Sequence, residues 1–206
     1  MLLPFVAIVI SYLVGSITFS IVIAKLFKGI DIRNHGSGNA GATNTLRVLG
    51  IGPAIAVLAL DLLKGMGGVV LARALSDLEW LPVACGLAAI VGHNWPIWFK
   101  FKGGKGIATA IGVLSVLVFI PALIAGIIAI ASIFITRYVS LGSLIFTFLT
   151  PIFVTIFHFT QGGTQYSWAN VIGTVIICIF AFIRHRSNIV KLWNGTENKL
   201  GSKKGA

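Results

Sequence analysis

The chain alternates long apolar blocks with short polar breaks, and the blocks approach the length that crosses a lipid bilayer. A helix needs about 20 mostly apolar residues to cross the hydrocarbon core, fewer where the bilayer thins. On that measure the pattern predicts spans near 3–24, 51–72, 81–96, 107–120, 121–136, 141–160 and 169–184. The third and fourth blocks are short, and Pro121 is the one marker between the fourth and fifth. The fold class that follows is an all-α integral membrane protein with about seven transmembrane helices. No internal repeat or domain boundary stands out. The expected organisation is one polytopic membrane domain over 1–192 and a short basic cytoplasmic tail over 193–206, polar enough to fray.

Composition agrees with the pattern. Hydrophobic residues make up 57% of the 206 and charged residues 10%, with a mean hydropathy of +0.98. A soluble domain of this size must show water far more polar surface. The net charge of +11 does not point to nucleic acid, because the basic residues sit in the breaks between apolar blocks, where loops face anionic headgroups. Charge also gives an orientation. With the N-terminus outside and the C-terminus cytoplasmic, Lys25, Lys28, Arg33, Arg47, Lys100, Lys102, Lys105, Arg137, Arg184 and Arg186 fall inside. The outer breaks then hold Arg73, Asp77, Glu79 and the neutral run 161–165, a strong positive-inside bias. The first charges, Lys25 and Lys28, follow the first apolar block, which favours a retained helix over a cleaved signal peptide. Cys85 and Cys178 lie inside apolar blocks and read as small buried hydrophobes.

Three inner-side segments carry candidate chemistry. The first contains Ser37, Gly38, Asn39, Gly41, Thr43, Asn44 and Arg47. Its glycines, with Gly36, match G-x-G-x-x-G, but no strand precedes them, so a dinucleotide fold is excluded. Closely spaced glycines still let backbone N–H groups approach an anion, the neutral side chains add donors, and Arg47 can grip a phosphate with two hydrogen bonds. The second runs from His93 through Lys102, Gly103, Gly104, Lys105 and Gly106. It lacks the spacing and the hydroxyl residue of a P-loop, which disfavours a nucleotide triphosphatase and leaves a glycine-flanked lysine suited to a phosphate. The third holds Arg184, His185, Arg186 and Asn188. His185 and Asn188 share a helix face, and flanking arginines favour a neutral imidazole that can accept a proton. Ser140 and Ser143 follow Arg137 on the same side. Asp61 and Lys64 lie within the second block at i,i+3, where a mutual ion pair is the economical reading, with a supporting role near the site as the alternative. His158 falls near the outer end, away from the rest.

Several chemistries drop out. Five acidic residues, two of them outside, are too few for a two-metal or Asp-rich magnesium site. No H-E-x-x-H occurs, and no histidine has an aspartate five positions on, as soluble-type glycerolipid acyltransferases require. A transporter would place polar features at mid-membrane in paired repeats, and a lipid-binding scaffold would not need the glycine–serine–asparagine constellation.

The segments 36–44, 92–106 and 184–189 together resemble the three cytoplasmic motifs of the acyl-phosphate-dependent glycerol-3-phosphate acyltransferases, the PlsY family, in order and across essentially the whole chain. The resemblance implies transfer of an acyl group from acyl phosphate to the sn-1 hydroxyl of glycerol 3-phosphate, giving lysophosphatidic acid and phosphate. It implies a bacterial inner-membrane enzyme working on its cytoplasmic side, with membrane lipid around it, no cofactor, no metal and no covalent acyl-enzyme. Ser37, the backbone of Gly38 to Gly41, and Lys105 would cradle phosphate, and Arg47 would hold the second phosphate. Asn39, Thr43, Asn44, His93, Lys102, Gly103, Gly104, Gly106, Ser140 and Ser143 join the substrate-binding set. His185 and Asn188 would bind and orient glycerol 3-phosphate, with His185 or a substrate phosphate oxygen taking the proton.

Overall fold

The computed structural model describes residues 2–163 and 165–201, and among them every regular element is helical. The chain forms two compact units that meet in sequence between Leu117 and Val118.

The first unit contains α1 (Leu2–Gly15), α2 (Phe19–Lys28), a 3-10 turn (Ile32–Asn34), α3 (Ala42–Leu49), α4 (Ile51–Leu75), α5 (Trp80–Asn94), a second 3-10 turn (Ile97–Phe99) and α6 (Ile107–Leu117). Helix α4 is its spine and packs along α6, α5 and α1, while α1 also lies against α5. These contacts are close because glycines sit where the backbones meet. A Cβ on Gly65 would run into the Thr109 carbonyl, and one on Gly112 into the Leu62 carbonyl, so α4 and α6 touch backbone to backbone. Gly15 and Gly92 do the same for α1 and α5. Small residues at crossings are how membrane helices gain contact when lipid is as apolar as their side chains.

The second unit contains α7 (Phe119–Thr136), α8 (Val139–Thr160), α9 (Trp168–Arg184) and α10 (Arg186–Trp193), with α8 packed between α7 and α9. The buried hydroxyls of Ser143, Thr147 and Thr150 donate to carbonyls one turn back, so these three polar groups on the packed face of α8 are paired within the helix. Outward residues such as Phe134 and Ile135, each 82% exposed, are apolar.

The expected count of seven spans is corrected. Four segments are long and apolar enough to cross a membrane: 2–28, 51–75, 119–136 and 139–160. The α9–α10 pair, bent by 63°, makes a fifth if taken as one span. The blocks at 81–96 and 107–120 fold as α5 and α6, of 15 and 11 residues, below the about 20 of a full-length span. The second loop takes residues 95 and 96 from the end of the 81–96 block, and the 107–120 block is cut short at its far end, where α7 begins at Phe119. The first block is also interrupted, at 16–18 between α1 and α2.

Within the predicted tail, Leu200 is tied to the link between α7 and α8: its N–H donates to the Arg137 carbonyl at 2.7 Å, and the Arg137 guanidinium returns bonds of 2.7 and 3.1 Å to the Leu200 carbonyl. The part of the predicted tail at 202–206 lies outside the described residues.

Candidate active site

The first loop is anchored from below. Ile32 and Ala40 are fully buried against Ile21 and Ala24 of α2, which fixes both ends of the segment between them. Asn44, in the first turn of α3, then organises that segment from inside. Its Oδ1 accepts the Ser37 N–H at 2.8 Å, and its Nδ2 donates to the carbonyls of Ile32 and His35 at 3.2 and 3.0 Å. Asn44 was expected to contact substrate, but it is buried and its amide is engaged with its own loop. Gly36 (φ +61) and Gly38 (φ +72) turn the chain in a region that side chains rarely enter, and a Cβ at Gly36 would meet Asn44 Oδ1. The result presents Ser37 and Gly38 exposed and Asn39, Gly41 and Thr43 half-buried, with Arg47 exposed on α3.

Arg33, not among the expected site residues, fastens this loop to the second. Its guanidinium holds the Asp31 carboxylate at 2.6 to 3.1 Å and directs Nη1 to the carbonyls of Phe99 (3.1 Å) and Lys102 (3.3 Å). Between those carbonyls lie Lys100 (φ 57) and Phe101 (φ 58), two consecutive non-glycine residues in the left-handed region. Each such residue costs about 1–3 kcal/mol and persists only when its surroundings hold it. Arg33 brackets that strained pair.

The hydrogen bonds from Arg33 hold the Asp31 carboxyl below the usual carboxylate range, against a smaller opposing effect of burial. A carboxyl lowered in the folded state stabilises above its ordinary value of 3.8, and that contribution is lost as pH falls through the lower folded value. The clasp is therefore complete at neutral pH and loosens only in acid. Spin labels at the exposed positions Asn34 and Lys100 should report a narrow distance distribution from neutrality down to about pH 4 that broadens below it. In Asp31→Asn the distribution should be broad at every pH.

The second loop rests on His93. The Gly104 N–H donates to the His93 carbonyl at 3.1 Å. A Cβ on Gly104 would strike both His93 Nε2 and the Ala40 carbonyl of the first loop, so the two loops are in backbone contact there. A Cβ on Gly103 would strike the His93 carbonyl, and Gly106 turns at φ +77 into α6. Lys102 is exposed and Lys105 half-buried. Below this sits the expected pair: Lys64 Nζ lies 2.8 Å from Asp61, both buried. Their surroundings were not legible from spacing. Lys64 also reaches His93 Nδ1 at 2.9 Å and the Ile17 carbonyl, in the α1–α2 break, at 2.7 Å.

In the second unit, His185 is buried at the junction of α9 and α10. Its Nδ1 lies 2.8 Å from the Ala181 carbonyl, which can only accept, so Nδ1 carries a proton and the neutral form of the ring has its lone pair on Nε2. Asn188 donates through Nδ2 to both oxygens of Glu197, at 2.9 and 3.0 Å. A carboxylate accepts only, so the amide oxygen of Asn188 points the other way. Glu197 escaped notice in the sequence, although its isolation as an acid within a basic segment was a signal. Ser140 and Ser143 are buried in the first turns of α8. The Ser143 hydroxyl donates to the Val139 carbonyl at 2.9 Å, whereas the Ser140 hydroxyl has no partner among the described residues. His158, expected to lie away from the rest, holds the Tyr166 carbonyl through Nδ1 at 2.5 Å and packs tilted against the Trp168 ring, pinning the segment between α8 and α9.

Comparison with known proteins gives consistent relatives. The family model described as "Glycerol-3-phosphate acyltransferase" matches residues 5–195. A glycerol-3-phosphate acyltransferase of Halalkalibacterium halodurans is 57% identical over 196 residues, covering 94% of each chain. One of Shouchella clausii is 57% identical over 198 residues, covering 93% of each. The crystal structure of PlsY (YgiH), an integral membrane glycerol 3-phosphate acyltransferase, in its glycerol 3-phosphate form is 39% identical, covers 96% of both chains and superposes with a TM-score of 0.87. Its lysophosphatidic acid form is 38% identical with a TM-score of 0.85.

Proposed function

As this chain belongs to the glycerol-3-phosphate acyltransferase family of integral membrane enzymes, we propose that it moves an acyl group from acyl phosphate to the sn-1 hydroxyl of glycerol 3-phosphate. The hydroxyl oxygen attacks the acyl carbonyl carbon, its proton passes to His185 or to a substrate phosphate oxygen, the carbon–oxygen bond to phosphate breaks, and inorganic phosphate leaves. Acyl phosphate is a mixed anhydride with a good leaving group, so positioning and charge stabilisation suffice without a covalent acyl-enzyme or a metal.

The observation that carries this reading is the union of the first two loops. Arg33 and the Gly104–Ala40 contact join two glycine-rich backbones into one surface that bears Ser37, Arg47, Lys102 and Lys105. Such a surface suits phosphate groups, which both substrates carry. Ser37, Gly38, Gly41 and Lys105 cradle one phosphate and Arg47 the other, while Asn44 and Arg33 hold the loops in shape. The Asn188 amide oxygen, turned from Glu197, suits a hydroxyl of glycerol 3-phosphate better than its phosphate. The N-terminus is outside, with these loops and His185 on the cytoplasmic face of a bacterial inner membrane.

The purified protein in detergent, given acyl phosphate and glycerol 3-phosphate, should release phosphate and 1-acyl product in equal amounts. Turnover with acyl-CoA but not acyl phosphate would overturn the donor assignment, and a 2-acyl product the regiochemistry. Impermeant thiol reagents should label Ser37→Cys only from the cytoplasmic side.

The serines separate by their hydroxyls. Ser140→Ala removes an uncommitted buried donor, so KM for a phosphate substrate should rise about tenfold, near the value of one hydrogen bond to a charged group. Ser143→Ala removes a bond already spent within α8 and should leave kinetics within about threefold. Initial-rate assays on the two variants check this, and equal effects would refute it.

A further inference from the structure

Proposing that the second loop binds phosphate leaves unexplained why Asp61 and Lys64 lie buried beneath it. An isolated ion pair for stability would need only the two of them. Here the ammonium makes three contacts, to Asp61 at 2.8 Å, the Ile17 carbonyl at 2.7 Å and His93 Nδ1 at 2.9 Å. The Asp61 carboxylate takes one of these contacts. The other two go to the helix break and to the histidine. Buried charge is costly unless fully paired, and the two partners that complete the pairing are specific: a helix break and a histidine under the second loop, which an ion pair for stability alone does not require.

The purpose is visible in the donor count. An ammonium has three hydrogens and no lone pair, so His93 Nδ1 must accept from it. Asp61 Oδ1, at 3.5 Å from Nδ1, is too far to claim that nitrogen as a donor. The imidazole therefore carries its proton on Nε2, the edge that Gly104 packs against. We infer that Lys64, paired with Asp61, is a positioning residue that fixes His93 as the Nε2–H tautomer and so directs a neutral N–H donor at the Gly103–Gly104 loop. A neutral donor adds no charge that would hold back a phosphate leaving group. The same ammonium, through Ile17, ties that histidine to the break in the first span. This role rests on the proposed phosphate function of the second loop, but the tautomer can be measured without it.

The test uses full-length protein with 15N-labelled histidine in detergent. The His93 ring signal is assigned by its loss in His93→Gln, and its tautomer is read from long-range proton–nitrogen correlation. Wild type should show Nε2–H with an accepting Nδ1. Lys64→Met should lose that preference, and its KM for a phosphate substrate should rise about ten- to a hundredfold, the scale of a small misplacement at a reacting centre. Because a single substitution strands a buried charge, Asp61→Leu with Lys64→Met is the companion variant, folded without either ion. A merely structural pair predicts that this double variant keeps wild-type KM and tautomer, and that result overturns the inference. An Nδ1–H tautomer in wild type overturns it equally. If wild type proves inactive with both substrates, the functional reading fails, while the tautomer comparison still decides the role of Lys64.

Discussion

Gly104→Ala is expected to lower kcat/KM by about a hundredfold while the protein remains folded and monodisperse. The added methyl has nowhere to go. One side is the Ala40 carbonyl of the first loop, and the other is His93 Nε2, in a ring that is itself buried and held by Lys64. Neither is the far end of a flexible side chain that could swing aside. The second loop must lift from the first, and a shift of about 1 Å at a site that works by positioning can cost a factor of about 100. The fold should survive because the spine contacts of α4 with α6 and α5 are not involved. Gly67→Ala is the matched control. It lies within α4 with nothing within 4 Å of an added Cβ, so it should leave activity unchanged and add about 0.5–1 kcal/mol of helix stability. Kinetics and thermal unfolding of both variants settle the matter. Activity of Gly104→Ala within about threefold of wild type would mean that contact between the loops does not set the reactive geometry.

The parts of this molecule that were legible in sequence are those that depend on one segment at a time. Helices α4 and α8 were visible because their apolar length exceeds what any short loop could interrupt. The pairing of Asp61 with Lys64 was visible because i,i+3 spacing places both on one helix face. Helices α5 and α6 were overcounted as spans because apolar composition does not show where a helix stops within an apolar block: the second loop takes the end of the α5 block, and α7 begins at Phe119 inside the α6 block. Contacts between distant segments were hidden altogether. Nothing in the spacing links Arg33 to the carbonyls of Phe99 and Lys102, Lys64 to His93, or Asn188 to Glu197. Residue type alone also misled on Asn44. An amide in a glycine-rich loop reads as a ligand donor, whereas backbone groups that would otherwise be orphaned claimed it first.

His185→Ala should reduce kcat by about 100- to 10,000-fold if its imidazole takes the proton from the attacking hydroxyl. The geometry supports that role on one point: with Nδ1–H directed to the Ala181 carbonyl, the neutral ring has its lone pair on Nε2, where a base needs it. The ring is 2% exposed, so alanine also leaves a cavity at the α9–α10 junction. His185→Gln controls for this, filling most of the volume and able to bond Ala181 but unable to accept a proton. A base at His185 predicts that both variants lose kcat to a similar extent and that the acid limb of the wild-type kcat/KM profile disappears. A substrate phosphate oxygen acting as base predicts otherwise: glutamine would keep kcat within a few-fold, raise KM for glycerol 3-phosphate, and retain the acid limb, which then reports the phosphate. That second pattern would remove His185 from proton transfer and leave it a binding group. The reaction itself would remain feasible, because departure of phosphate from a mixed anhydride does not depend on a strong protein base.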